Sequence, residues 1–168
     1  MSRMVDPFLA ELEQEAKTTH RMLERVPGEG LNWRPHPRSM SLGQLALHVA
    51  TIPGFTAQIF ANDTFELPAF EQPSAQSAAE LVPALDESVR TAQQILGSMD
   101  DGRIRQTWKL TKNGKDLMAA PRVVLLRPFL LNHWYHHRGQ LSVYLRLLNI
   151  PLPSVYGPTA DENPFTEA

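Results

Sequence analysis

The stretch Asn132-His133-Trp134-Tyr135-His136-His137-Arg138-Gly139-Gln140 lies in a long, largely apolar run and carries two histidines four residues apart. Four residues of α-helix advance about 6 Å and slightly more than one turn, so the imidazoles of His133 and His137 leave the same face. That is the spacing of a two-histidine clamp. One divalent ion can accept both rings at roughly 2.0–2.1 Å while other groups complete its coordination. His48 interrupts a second apolar helical run, Leu42 to Phe60, and is the candidate third ligand. Two helices would then share one ion.

Around the histidines, Leu126, Leu130, His133, His137, Leu141, Tyr144 and Leu148 recur at spacings of three and four. The pattern predicts a fourth helix over about 121–149 with both histidines on its core stripe. Two imidazoles buried there without partners would cost on the order of several kcal/mol, which favours a metal or hydrogen-bonded role. The same helix is apolar on more sides than one core requires. Phe129, Trp134 and Tyr135 lie off the stripe, and this surplus predicts a homodimer or another binding surface. His136 points about 100° from His137 and reads as a neighbour of the site or an interface residue, with a His133/His136 pair as the lesser ligand set. His20 and His36 are expected to face solvent, and Glu11, Glu15 and Arg38 to be solvated charges.

Three further helices precede this one. Asp6 as N-cap and Pro7 at the first helical position open helix one, about 7–26, which carries Phe8, Leu12, Ala16, Thr19, Leu23 and Val26 inward. The segment from Glu29 to Met40 contains Gly30, Pro35 and Pro37 and reads as a loop with a packed Trp33. Ser41 with Gln44 forms a capping box for helix two, where Leu45, His48, Ile52, Phe55 and Ile59 share a stripe and Pro53-Gly54 predicts a kink. Residues 61–76 form a connection long enough for helix three, about 77–99, to run parallel rather than return antiparallel. Between helices three and four, the segment Arg105 to Leu117 with Asn113-Gly114 predicts a short β-hairpin.

Composition narrows the function. With 168 residues, 42% of them hydrophobic, the chain suits one domain, 1–168. A net charge of −2 offers no basic face for nucleic acid. The absence of cysteine excludes disulfides, thiolate nucleophiles and cysteine-ligated zinc, so histidines and carboxylates are the strong metal ligands left. The N-terminal residues form no apolar leader and no run suits a membrane span, so a soluble cytoplasmic protein is expected.

The combination Trp33-Arg34-Pro35, Ser39-Met40-Ser41-Leu42-Gly43-Gln44-Leu45-Ala46-Leu47-His48, the block Asn132 to Leu141, and the ending Tyr156-Gly157-Pro158 with Asp161-Glu162 resembles the DinB/YfiT-like superfamily of metalloenzymes. The likeness runs from helix one to about Glu162. It implies an all-α, four-helix bundle in up-down-down-up order, with a divalent ion, often nickel or zinc, on His48, His133 and His137. Relatives include thiol S-transferases and isomerases that use low-molecular-weight thiols, alongside many members without an established activity.

The ligand set decides the chemistry. Three neutral imidazoles leave an ion its full charge and open positions, unlike a closed four-ligand structural site. Such an ion can draw the pKa of water from 15.7 down towards ~7–9 and can deprotonate a thiol. The sequence offers no HExxH glutamate and no carboxylate adjoining either histidine motif, which lowers the weight of a hydrolase. Activation of a small-molecule thiol needs less from the protein and ranks ahead. The alternatives are a metal-dependent hydrolase and a non-catalytic, metal-stabilised dimeric module.

Overall fold

The computed structural model describes residues 2–69 and 71–166. Helix α1 (Asp6–Leu23) begins one residue earlier than expected: Val5 is the N-cap, and Asp6 instead accepts the Arg3 backbone N–H at 2.7 Å. Helix α2 (Leu42–Ala61) starts on a closed capping box, in which Ser41 Oγ accepts from the Gln44 N–H at 3.2 Å and Gln44 Oε1 accepts from the Ser41 N–H at 2.9 Å.

Pro53 lies inside α2 and has no N–H to give to the carbonyl four residues back, which is that of Val49. The indole N–H of Trp134 donates to that carbonyl at 2.8 Å. Trp134 is fully buried, so the bond replaces the missing helical one in the core between the two histidine-bearing helices. One residue on, the Gly54 N–H donates to Ser88 Oγ at 2.8 Å, and a Cβ at Gly54 would come within 3.0 Å of the Ser88 backbone. Helix α3 (Leu81–Gly97) therefore packs backbone to backbone against α2 at this point. A short 3-10 turn, Ala78–Glu80, leads into it, and Leu81, Leu85, Ser88, Ala92 and Leu96 face inward.

The C-terminal carbonyls of α2 lack helical partners, as at any helix end. The Trp108 indole N–H caps Ile59 at 2.9 Å, Arg122 Nε caps Phe60 at 2.8 Å, and Arg103 Nη2 caps Ala61 at 2.6 Å. Arg122 is fully buried, and its Nη2 also reaches the Asn62 carbonyl at 2.6 Å and Asp63 Oδ1 at 2.7 Å. Two cationic side chains at a helix C-terminus also complement its dipole.

The expected hairpin is present, formed by β2 (Thr107–Lys112) and β3 (Lys115–Pro121). Asn113 and Gly114 turn it with φ of 52° and 72°, the left-handed pair that a two-residue hairpin loop requires. An unexpected third strand, β1 (Thr64–Glu66), pairs parallel with β2, giving the order β1-β2-β3. The fold is thus mostly helical with a small sheet, rather than all-α. A one-turn helix α4 (Asp101–Arg105), capped by Asp100, links α3 to the sheet.

The expected fourth helix is divided into α5 (Arg122–Leu126), a π-helical segment from Arg127 to Asn132, and α6 (His133–Leu147). Pro128 is the cause: it cannot donate, its ring crowds the preceding turn, and wider turns relieve both. From Leu131 onward the buried face consists of Leu131, Trp134, Arg138, Leu141 and Leu145. His133 and His137 are half-buried on the flank of that face, not at its centre. The apolar surplus ascribed to helix four is also internal in part, because Trp134 is buried and Tyr135 is half-buried with its hydroxyl donating to Glu11 Oε1 at 2.7 Å.

Replacing Trp134 with Phe should leave the Val49 carbonyl buried and unpaired, lowering stability by about 1–3 kcal/mol in denaturant titration. Pro53→Ala restores a helical N–H to that carbonyl. The double variant should therefore be less destabilised than the sum of the singles, and strict additivity would show that the two residues do not share this carbonyl.

Candidate metal centre

His48 projects from α2, and His133 and His137 from successive turns at the start of α6, directly after the π-helical segment. Their Nε2 atoms converge. His133 Nε2 lies 2.9 Å from His137 Nε2 and 3.4 Å from His48 Nε2, and the ring centroids are 4.5–5.2 Å apart. An ion about 2.05 Å from two nitrogens would hold them about 2.9–3.4 Å apart at bond angles between octahedral and tetrahedral. The donor set fits a divalent ion on this measure, and His48, His133 and His137 could hold one.

The protonation states agree with that fit. Burial, then the neighbouring imidazoles, pushes His48 down to about 4. Burial pushes His137 down to about 4 as well, against the opposing hydrogen bond that its ring donates to Gln140. His133 is lowered by burial, and the Phe129 carbonyl works against that shift. All three rings are therefore neutral near pH 7 and present lone pairs. The side-chain oxygen of Gln140 lies 2.8 Å from His137 Nδ1. It can only accept, so Nδ1 carries the proton and the Nε2 lone pair turns towards the other two rings.

Gln140 belongs to the His137-to-Gln140 block, but the histidine spacing gives it no role of its own. It is the third residue after His137, on the same helical face, and that offset is the signal the sequence holds. Its neighbour Arg138 is also structural. Arg138 is almost fully buried and donates to Glu15 Oε2 at 2.6 Å, Thr19 Oγ1 at 3.0 Å and the Tyr156 hydroxyl at 2.5 Å. Glu15, expected among the solvated charges, is instead buried and accepts from Tyr156 at 2.9 Å as well. Glu11, also expected to be solvated, takes both ends of the Arg127 guanidinium, which holds its carboxyl below its usual range.

His136 is exposed and stacks edgewise on His137 with centroids 4.9 Å apart, outside the three-nitrogen cluster, so a His133/His136 clamp is not what the fold assembles. His36 is exposed as expected, and His20 is partly exposed beside Glu24. Beside His48 and His133 opens an apolar cleft of about 640 Å³ between α2, α3, the sheet and Phe129.

Comparison with known proteins gives this architecture its class. The DinB family profile matches residues 1–164, and the chain belongs to that family. It is 29% identical to the YrdA protein of Bacillus subtilis (strain 168), described as uncharacterized, across 96% of this chain and 93% of YrdA. Among solved structures it is similar to a DinB-like protein from Bacillus cereus ATCC 10987, with a TM-score of 0.68 and 24% identity over 89% of this chain and 95% of that one. It is also similar to the DinB-like protein YjoA of Bacillus subtilis, with a TM-score of 0.64 and 16% identity over 94% of this chain and all of YjoA. At these identities the structural likenesses speak for the fold alone.

The lowered histidines set a pH dependence. An unfolded imidazole takes its proton near 6.5, whereas folded His48 and His137 take theirs near 4, so the unfolded state binds more protons between these values. Their contribution to stability is complete above about pH 6.5 and is lost as the pH falls towards 4. The denaturation midpoint of metal-free protein should fall over this window, and His48→Gln should flatten the decline.

Proposed function

We propose that this chain is a divalent-metal-dependent enzyme that joins the sulfur of a low-molecular-weight thiol to an electrophilic carbon of a small-molecule substrate. The reading includes nickel or zinc on His48, His133 and His137, and a single domain, 1–168, built as an up-down-down-up four-helix bundle in the cytoplasm. The observation that carries it is the convergence of three neutral imidazole nitrogens beside an apolar cleft, a cluster that includes no carboxylate among the described residues. Three protein ligands leave coordination positions free for a reactant, the arrangement of a catalytic rather than a structural site.

When bound, the ion supplies Lewis acidity that lowers the pKa of a thiol and keeps its sulfur as thiolate at neutral pH. The chain's own part is positional. His48 and His133 stand at the cleft wall, and Gln140 fixes the tautomer of His137. In the reaction the thiol gives its proton to solvent, sulfur forms the new C–S bond, and the leaving group departs with the electrons of the bond that breaks. The carboxylate-free cluster supports this chemistry over hydrolysis, in which a protein group commonly handles the protons of the attacking water and of the leaving group.

Purified without a histidine tag, the protein should bind one divalent ion per chain. His48→Ala and His137→Ala should each lower its affinity by at least tenfold while preserving helicity, and full occupancy in the double variant rejects the ligand set. Added thiol should change the visible spectrum of cobalt-loaded protein. A spectrum unmoved by thiols, together with unfolding on metal removal, points to a structural ion instead.

A homodimer is also part of the proposal. Its support lies in Val143 and Leu147, one turn apart on α6 and each 57% exposed, rather than in Trp134 and Tyr135. Sedimentation velocity at roughly tens of micromolar should show the dimer, and a strictly monomeric species rejects it.

A further inference from the structure

The cleft beside the histidines has a composition that selects its occupant. Ile52 and Ile59 of α2, Phe65 of β1, Leu110 of β2 and Phe129 supply much of its wall, and Phe55 and Leu67 stand at its exposed rim. Its volume of about 640 Å³ is that of a small-molecule site. The hydrogen-bonding groups within it are largely engaged by the protein itself. Thr51 donates to the Leu47 carbonyl at 2.8 Å, Thr56 to the Phe129 carbonyl at 3.3 Å, and Ser88 Oγ accepts from the Gly54 N–H at 2.8 Å. The Trp108 indole N–H is held by Ile59.

Charge narrows the choice further. Among the described residues that line the cleft, the one charged side chain is Glu87, which is exposed and paired with Arg90, and none is lysine or arginine. A carboxylate, phosphate or sulfonate carried into this volume would lose hydration and find no cation among these side chains, which disfavours it against a neutral group. The free carboxylates of a peptide thiol have no partner there.

We infer that the cleft binds a neutral aryl or alkyl compound, its apolar body against Phe65, Leu110 and Phe129 and its one reactive end directed to His48 and His133. This compound is the electrophilic substrate, and the charged parts of any thiol cosubstrate stay outside the cleft. The orientation of the ligand rests on the proposed reaction centre. Its binding does not.

Two fluorescent probes with one hydrocarbon body separate the possibilities: N-phenyl-1-naphthylamine, which is neutral, and 8-anilinonaphthalene-1-sulfonate, which adds one anionic group. Both are titrated against the full chain, metal-free and zinc-loaded. The neutral probe should bind saturably at one site per chain, and at least tenfold more tightly than the sulfonate in metal-free protein. Phe55→Glu and Leu67→Glu, both at solvent-exposed rim positions, should each weaken it by about tenfold or more. Equal or tighter binding of the sulfonate, or unchanged affinity in both rim variants, overturns the proposal, as does the absence of saturable binding by the neutral probe. Because metal-free protein is measured directly, failure of the metal reading would appear separately, as an absence of stoichiometric zinc binding by protein that still takes the neutral probe.

Discussion

The hydrogen bond from the Trp134 indole to the Val49 carbonyl holds the rest of the site in place. It exists because Pro53 withdraws the N–H that would otherwise fill that carbonyl, so α2 has an acceptor in its buried middle that only another element can satisfy. Trp134 follows His133 directly, and Val49 follows His48. Satisfying one carbonyl therefore sets the distance and rotation of the two helices at the level where the imidazoles meet. An aromatic ring is also a stiff spacer, so the separation is fixed by a group with few rotamers rather than by a flexible chain.

Buried charge fixes what this bond does not. Arg122 and Arg103 close the C-terminus of α2 onto the start of α5 and onto α4, while Arg138 ties α6 to α1 and to the C-terminal segment through Glu15, Thr19 and Tyr156. A guanidinium this deeply buried is tolerable only when its donors are filled. Arg122 donates to four oxygens and Arg138 to Glu15, Thr19 and Tyr156, with Tyr135 and Tyr156 rings alongside the latter. Removing a single partner would strand charge in the core. Both arginines therefore act as fasteners on either side of the histidine pair, at the start of α5 and within α6.

Much of this was legible in the sequence where the signal is local. The i, i+4 histidines, the Ser41–Gln44 capping box and the Asn113-Gly114 turn each depend on residues within one turn of one another. What escaped depends on partners far along the chain. Glu15 looks like any surface helix carboxylate until Arg138, 123 residues away, is placed against it. Strand β1 is three residues long and carries no period of its own, so its pairing with β2 has no sequence signal. The misplaced core stripe has a different origin. Counting threes and fours assumes a uniform 3.6-residue period, and the π-helical segment at Pro128 breaks that assumption just before the histidines, leaving them on a flank.

That flank position has a chemical consequence. At the centre of the stripe the imidazoles would be sealed among leucines, and a ligand could reach them only by opening the core. On the edge they are buried enough to stay neutral yet border a cleft with an exposed rim. In the proposed reading, three neutral ligands leave a divalent ion with two uncompensated positive charges beside a cleft whose wall is mostly carbon. One anionic donor from a reactant is the natural complement at the ion, and a neutral body is the natural complement in the cleft. A thiolate and an apolar electrophile meet these two demands together.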